Sequence, residues 1–200
     1  MKNLMGRLKS MMSRKKVKTR EELLQPVVYI TDTLLAETGR LIASFAEGSE
    51  SEGVVYWFGF ELGDKAVVTT LIVPNANTSH GCISTSPGAN GEALGVIVGT
   101  PLVLLGQAHS HPGERVRHSP VDDRETFARF DGGLSVVVPH FARRGVDLSR
   151  CGVHRHVDGA FKFIRPERVG EHVVVVPGQA DLRRREQEGR IRKEKANVVG

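Results

Sequence analysis

The chain has little cysteine, few aromatic residues and no long apolar run. Its two cysteines, Cys82 and Cys151, are too few for a disulfide scaffold or for a zinc site built from thiolates. No stretch approaches the roughly 18 apolar residues that a transmembrane helix needs. The basic start also lacks the apolar segment of a signal peptide. These absences lead us to expect a cytoplasmic protein without a transmembrane segment.

Several catalytic signatures are absent as well. The sequence contains no Gly-x-Ser-x-Gly elbow and no His-Glu-x-x-His motif, and the flanks of both cysteines lack the signatures of cysteine proteases. It also contains no Gly-x-x-x-x-Gly-Lys loop, so nothing predicts nucleotide binding. A serine or cysteine nucleophile is therefore poorly supported.

The positive charge is concentrated at the two ends. The chain has a net charge of +5, but residues 1–20 hold eight Lys/Arg and no acid, and residues 181–200 hold seven Lys/Arg and four acids. The residues between them are therefore net acidic, and we expect no nucleic-acid partner. We predict a basic tail over 1–20, a folded domain over 21–177 and a charged tail over 178–200.

Apolar periodicity predicts strands that alternate with helices. The expected helices cover 32–46, part of 88–98, and a segment from after Ser119 to about Phe130, while 74–92 is expected to form a long loop. The expected strands cover 27–30, 54–60, 66–73, 102–109, 134–138, 151–157, 160–164 and 172–176. This order predicts an α/β or α+β fold around a mixed sheet.

The segment that carries chemistry runs from His109 to Asp122. His109 and His111 end an apolar strand with a spacing of two, which places both imidazoles on one face. Asp122 opens the next helix and can return to them as a third ligand. Two imidazoles and one carboxylate leave a coordination position open at a catalytic zinc.

Each part of this segment also has a plain structural explanation. Ser119-Pro-Val-Asp122 is a good helix N-cap, with Pro120 at the first helical position. His154-x-His156 repeats the spacing of two without a nearby third ligand, so we expect it to form a solvent-facing strand surface. His118 is interpreted as a loop histidine and not as a ligand.

Taken together, His-x-His, seven residues and Ser-x-x-Asp resemble the signature of the JAMM metalloproteases, which have the MPN fold. The resemblance covers about residues 27–165 and implies a curved mixed sheet flanked by helices. It implies one Zn²⁺ per chain, held by His109, His111 and Asp122. Glu52, just before an apolar strand, resembles the family's upstream glutamate, which implies a general base and acid. By the same resemblance, Ser119 would donate a hydrogen bond to the developing oxyanion.

The resemblance also implies a substrate class. Family members with the full set cleave isopeptide or peptide bonds after the C-terminus of ubiquitin or a ubiquitin-like protein. The segment from Glu52 to Gly59 resembles bacterial members, which implies a conjugation system with E1-like and E2-like partners. Two alternatives stay open: a peptidase that releases cysteine or another adduct from a sulfur-carrier protein, and a non-catalytic MPN scaffold.

Overall fold

The computed structural model describes residues 26–179. The predicted tail over 1–20 lies outside these residues, and so does the C-terminal tail from residue 180 onward. The domain limits at 21 and 177 therefore stay a prediction.

An eight-stranded mixed sheet forms the centre of the fold, with the strand order β10-β1-β3-β2-β6-β7-β8-β9. A separate two-stranded hairpin pairs β4 with β5. The strands are β1 Val27–Thr31, β2 Val54–Leu62, β3 Lys65–Ile72, β4 Ala76–Ser79, β5 Cys82–Thr85, β6 Val103–Ser110, β7 Leu134–Val138, β8 Gly152–Val157, β9 Ala160–Ile164 and β10 Val173–Val176. The helices are α1 Asp32–Ser44, α2 Pro87–Gly95 and α3 Pro120–Glu125, with short turns at His140–Ala142 and Pro166–Glu171.

The sheet curls strongly, so that strands far apart in its order approach each other. Arg155 of β8 donates from Nη2 to the carbonyl of Pro26 at 2.7 Å, just before β1, although four strands separate β8 from β1. Val153 of β8 shares one apolar core with Val28 of β1. The predicted curved mixed sheet with flanking helices is confirmed.

Helix α1 covers one face of the sheet with its apolar side. Thr31 caps its start, because the Thr31 hydroxyl accepts from the Leu34 amide at 3.1 Å. Thr38 and Ile42 are fully buried, and the Thr38 hydroxyl accepts from the indole of Trp57 at 3.1 Å. This bond satisfies a buried donor in the core and joins α1 to β2.

Two of the predicted boundaries are wrong. Residues 74–92 are not one long loop, because they contain the hairpin β4–β5 and the start of α2. Both hairpin strands are short and largely polar, which hides them from a search for apolar periodicity. Helix α3 ends at Glu125, well before Phe130, because Thr126 leaves the helical conformation and the Phe127 amide donates to the Gln107 side chain at 2.8 Å.

Within residues 26–179, no helix is both long and apolar enough to span a bilayer.

Candidate metal centre

The two histidines of the predicted ligand set stand at the end of β6, in the middle of the sheet. His109 pairs with Val54 of β2 on one side and with Val137 of β7 on the other. His109 is 1% exposed, and His111, the first residue after the strand, is 9% exposed. Their ring centroids are 5.2 Å apart, so the spacing of two does place both rings together.

Asp122 reaches both histidines from the first turn of α3. Its Oδ1 lies 3.5 Å from His109 Nε2, and its Oδ2 lies 3.3 Å from His111 Nε2. The same carboxylate accepts from the Ser119 amide at 2.5 Å, while the Ser119 hydroxyl accepts from the Asp122 amide at 3.2 Å. The helix cap and the approach to the histidines therefore coexist in one residue.

These three side chains fit a metal ion. One ligand atom from each lies within 4.8 Å of the others, and all three residues are buried. Neither ring nitrogen of His109 has a hydrogen-bond partner, which is costly for buried polar atoms. The Nδ1 of His111 lies 2.7 Å from the carbonyl of Arg115, an arrangement that makes Nδ1 the donor and leaves Nε2 free as a ligand.

The charge states of the three groups suit a cation. Burial lowers the pKa of His109 and so favours its neutral, ligating form. Burial alone would raise the pKa of Asp122, but its close contacts with the imidazoles of His109 and His111 hold this pKa well below its usual range. Burial likewise opposes the charged form of His111, yet the hydrogen bond with Asp122 raises its pKa. A metal ion at this position therefore competes with a proton on His111.

Glu52 lies next to this group and differs from the other acids of its loop. It is 3% exposed, whereas Glu47 and Glu50 are both exposed. Burial raises the pKa of Glu52 to about 7, with His111 lowering it and Asp122 raising it further. A carboxyl group with a pKa near 7 can accept and return a proton at neutral pH.

Backbone contacts fix the position of Glu52 relative to β6. The Gly53 amide donates to the Ser110 hydroxyl at 3.0 Å, and the Ser110 amide donates to the Gly53 carbonyl at 3.0 Å. Gly53 has no space for a side chain, because a Cβ there would meet the Ile42 carbonyl and the Phe45 ring. Glu52 itself donates from its amide to Ser79 at the end of β4, at 3.0 Å.

A left-handed turn after β7 supports the segment that follows His111. His140, Phe141 and Ala142 have φ values of 55°, 55° and 57°, a conformation that costs L-residues about 1–2 kcal/mol each. The Phe141 amide donates to the His111 carbonyl at 2.9 Å, and the His140 amide donates to Gly113 at 3.1 Å. The sequence shows no glycine or asparagine at these positions, so this turn could not be predicted from it.

A second set of histidines lies beside the first, and one prediction about it is wrong. His154 and His156 do not face solvent; they are 3% and 8% exposed. Neighbouring rings cover them: His118 stacks on His154 with centroids 3.9 Å apart, and Phe161 of β9 meets His156 with centroids 5.1 Å apart. Burial lowers the pKa of His118 to about 4 and that of His154 to about 3.

A groove opens beside the ligand group, between β2, β5 and the end of α3. Its wall includes Tyr56, whose hydroxyl donates to Asn90 Oδ1 at 2.7 Å and lies 3.0 Å from the Thr85 hydroxyl. Burial raises the pKa of Tyr56 to about 12, so it remains a neutral donor. The lining residues are Val54, Tyr56, Ile83, Ser84, Thr85, Gln107, His109, Asp122, Glu125 and Thr126.

Comparison with known proteins gives one sequence relative. A protein of Sinorhizobium fredii (strain NBRC 101917 / NGR234) named "Probable metalloprotease y4jG" is 35% identical to this chain over 108 residues. The match covers 52% of this chain and 66% of the relative, slightly less than two thirds of its length. No protein-family model matches the chain.

Comparison with solved structures supports the fold. The solution structure of protein DSY2949 from Desulfitobacterium hafniense is similar with a TM-score of 0.58, and the match covers 76% of this chain and 94% of that one. The sequence identity is 16%, so this likeness concerns the fold alone.

Proposed function

We propose that this chain is a zinc-dependent peptidase of the JAMM type. The observation that carries the proposal is the buried group of His109, His111 and Asp122, whose ligand atoms converge within 4.8 Å and whose His109 nitrogens lack any other partner. The relative from Sinorhizobium fredii, which is named a probable metalloprotease, supports the same class of reaction. Two neutral imidazoles and one carboxylate are a donor set that suits one zinc ion per chain.

In this proposal His109, His111 and Asp122 hold the metal ion. When bound, the ion supplies Lewis-acid polarisation of the scissile carbonyl and makes a nearby water more acidic. Glu52 takes the proton from the attacking water and then returns it to the leaving amine, because its raised pKa allows both steps near neutral pH. Ser119 donates its hydroxyl proton to the developing oxyanion while its oxygen still accepts from the Asp122 amide.

The proposed substrate is a peptide or isopeptide bond after the C-terminus of ubiquitin or a ubiquitin-like protein. In this proposal the extended tail adds as a strand to the free edge of β5, which among the described strands pairs only with β4 and lies beside the ligand group. E1-like and E2-like proteins of a bacterial conjugation system are the proposed partners, and the cytoplasm is the proposed location. The resemblance of the motif, and not a feature of the groove, supplies this substrate class.

Cleavage of a reporter joined to the C-terminus of ubiquitin, once by a peptide bond and once by an isopeptide bond, tests the proposal. We expect the zinc-loaded protein to cleave at least one fusion and Glu52→Gln to lower the rate about 100-fold to 10,000-fold. Glu47→Gln is the matched control, since Glu47 is an exposed acid in the same loop. The proposal fails if cleavage survives a chelator or if Glu52→Gln cleaves like wild type.

A further inference from the structure

His118, in the loop between β6 and α3, makes side-chain hydrogen bonds both to α3 and to the sheet. Its Nδ1 lies 2.9 Å from Asp123 Oδ1, and its Nε2 lies 2.9 Å from the Ser135 hydroxyl. Because a carboxylate only accepts, Nδ1 donates to Asp123 and Nε2 accepts from Ser135. The side chain is 4% exposed, although His118 belongs to a loop.

The contacts of His118 connect the start of α3 to the sheet. His118 directly precedes Ser119, and Asp123 directly follows Asp122. The hydrogen bond between His118 and Asp123 therefore encloses the segment that holds both proposed site residues. Ser135 belongs to β7, which pairs with the strand that carries His109. The two bonds of one imidazole therefore join the segment that contains Asp122 to the strand next to the histidine ligands.

Helix α3 needs such an attachment because it is very short. It has six residues, fewer than the roughly 12–15 that make an isolated helix even marginally stable in water. At its far end the Gln107 side chain accepts from the Phe127 amide at 2.8 Å. His118 provides the attachment at the near end, where Ser119 and Asp122 lie.

Packing around His118 adds to these bonds. Its amide donates to His154 Nε2 at 3.3 Å, its ring stacks on His154, and the edge of Phe161 meets it with centroids 4.8 Å apart. Gly152 of β8 lets the loop approach, because a Cβ at Gly152 would collide with the Val116 carbonyl. The loop thus lies against β8 both at Val116 and at His118.

The order Ser135, His118 and Asp123 resembles the hydrogen-bond order of a serine hydrolase triad. Ser135 is 0% exposed, however, and lies within a central strand, so no acyl substrate can reach its hydroxyl. This array is therefore not a second hydrolytic site. A role in holding the loop accounts for all three residues.

We propose that His118 is a positioning residue that holds Ser119 and Asp122 against His109 and His111, and so raises the affinity of the site for its metal ion. This inference rests on the proposed function, because it assumes that the three residues bind an ion. Hydrogen-bonded neighbours of metal ligands typically contribute 10-fold to 100-fold in affinity.

The test measures Zn²⁺ affinity of the full chain by competition with a chromophoric chelator, and the Co²⁺ absorption spectrum as a probe of ligand geometry. We expect His118→Ala to raise the Zn²⁺ dissociation constant about 10-fold to 100-fold and to alter the Co²⁺ spectrum. His118→Asn, which keeps an amide donor toward Asp123, is expected to recover part of the loss. His156→Ala is the matched control, because His156 is similarly buried and also contacts Phe161, but makes no contact with α3.

A second variant keeps the test decisive if His118→Ala does not fold. Asp123→Ala removes one of the two ring bonds at a side chain that is 55% exposed, so it opens no cavity. We expect it to weaken Zn²⁺ binding about threefold to tenfold, as the loss of one ordinary, partly solvent-exposed hydrogen bond would.

The outcomes separate this inference from the proposed function. Equal Zn²⁺ affinities and Co²⁺ spectra in wild type, His118→Ala and Asp123→Ala, or an equal loss in His156→Ala, overturn the positioning role alone. A wild-type protein that binds neither metal overturns both proposals. A wild-type protein that binds Zn²⁺ tightly, loses it in His118→Ala and cleaves no fusion supports the positioning role and contradicts the proposed activity.

Discussion

Two pairs of histidines with the same spacing lie on two strands that flank β7. His109 and His111 end β6, and His154 and His156 lie on β8. All four side chains are buried, so neither burial nor spacing separates the pairs. The difference is the third group: the carboxylate of Asp122 lies within 3.5 Å of both rings of the first pair, whereas His154 stacks on another imidazole.

This comparison shows what the spacing of two can and cannot predict. Alternation along a strand fixes which face the rings share. Whether they can ligate depends on what the chain brings to that face from elsewhere. Within the described part of the chain, only His109, His111 and Asp122 converge closely enough to share an ion.

The largest expected effect comes from removing one histidine of each pair. His109→Ala should abolish stoichiometric zinc binding and lower fusion cleavage by about 1,000-fold or more, because several kcal/mol of charge stabilisation are lost. His156→Ala removes a buried ring of the second pair but should retain about one zinc per chain. Metal content by mass spectrometry checks both variants. Equal metal contents in the two variants would mean that the two histidine pairs do not differ in metal binding.

Ser119 lies beside the first histidine pair and caps α3, and its role can be compared with that of Ser86, which caps α2. Ser119→Ala should lower kcat about 100-fold through the lost oxyanion donor, and should also cost about 1 kcal/mol of stability through the lost cap. Ser86 caps α2 with the same geometry, accepting from the Ala89 amide at 3.1 Å. Ser86→Ala should show the stability loss in thermal unfolding without the loss in kcat. An equal fall in kcat in Ser86→Ala would mean that Ser119 acts only as a helix cap.

The smallest effect concerns the charge of Glu52 in the metal-free protein. Its folded pKa of about 7 exceeds the ordinary value of 4.5, chiefly because of burial, so the folded state binds this proton more tightly. Titration of Glu52 therefore lowers the free energy of unfolding as the pH rises from about 4.5 to about 7. Glu52→Gln should be more stable than wild type by about 1–3 kcal/mol at pH 8 and by little at pH 4.

Urea unfolding in the presence of a chelator, repeated from pH 4 to pH 8, measures this difference. Glu47→Gln is the control for the loss of a carboxyl group, because Glu47 is an exposed acid of the same loop. A flat difference between Glu52→Gln and wild type across the range would mean that the folded pKa of Glu52 is close to its ordinary value.

Local sequence patterns sufficed wherever the structure depends on neighbouring residues. The apolar runs predicted the strands of the main sheet, and the spacing of two predicted that the rings of His109 and His111 lie together. Features that depend on distant contacts could not be predicted in this way. The burial of His154 depends on the stacked ring of His118, and the early end of α3 depends on the side chain of Gln107.

Two further features could not be predicted from the sequence: the left-handed turn after β7 and the hairpin β4–β5. The three left-handed residues at His140–Ala142 are stabilised by tertiary hydrogen bonds that override their own preferences. The hairpin β4–β5 lies partly exposed beside the groove, so its strands need no apolar alternation.

The hydrogen bonds between Gly53 and Ser110 have a consequence for assays of this protein. All three ligands come from one short stretch of the chain, whereas Glu52 is brought in by the alignment of β2 with β6. A slip of one residue between these strands would turn Glu52 to the opposite face and leave the ligands where they are. A misaligned molecule would then still present the residues of the proposed metal site but would lack the proposed base. Metal stoichiometry alone would therefore overcount the competent molecules in a preparation.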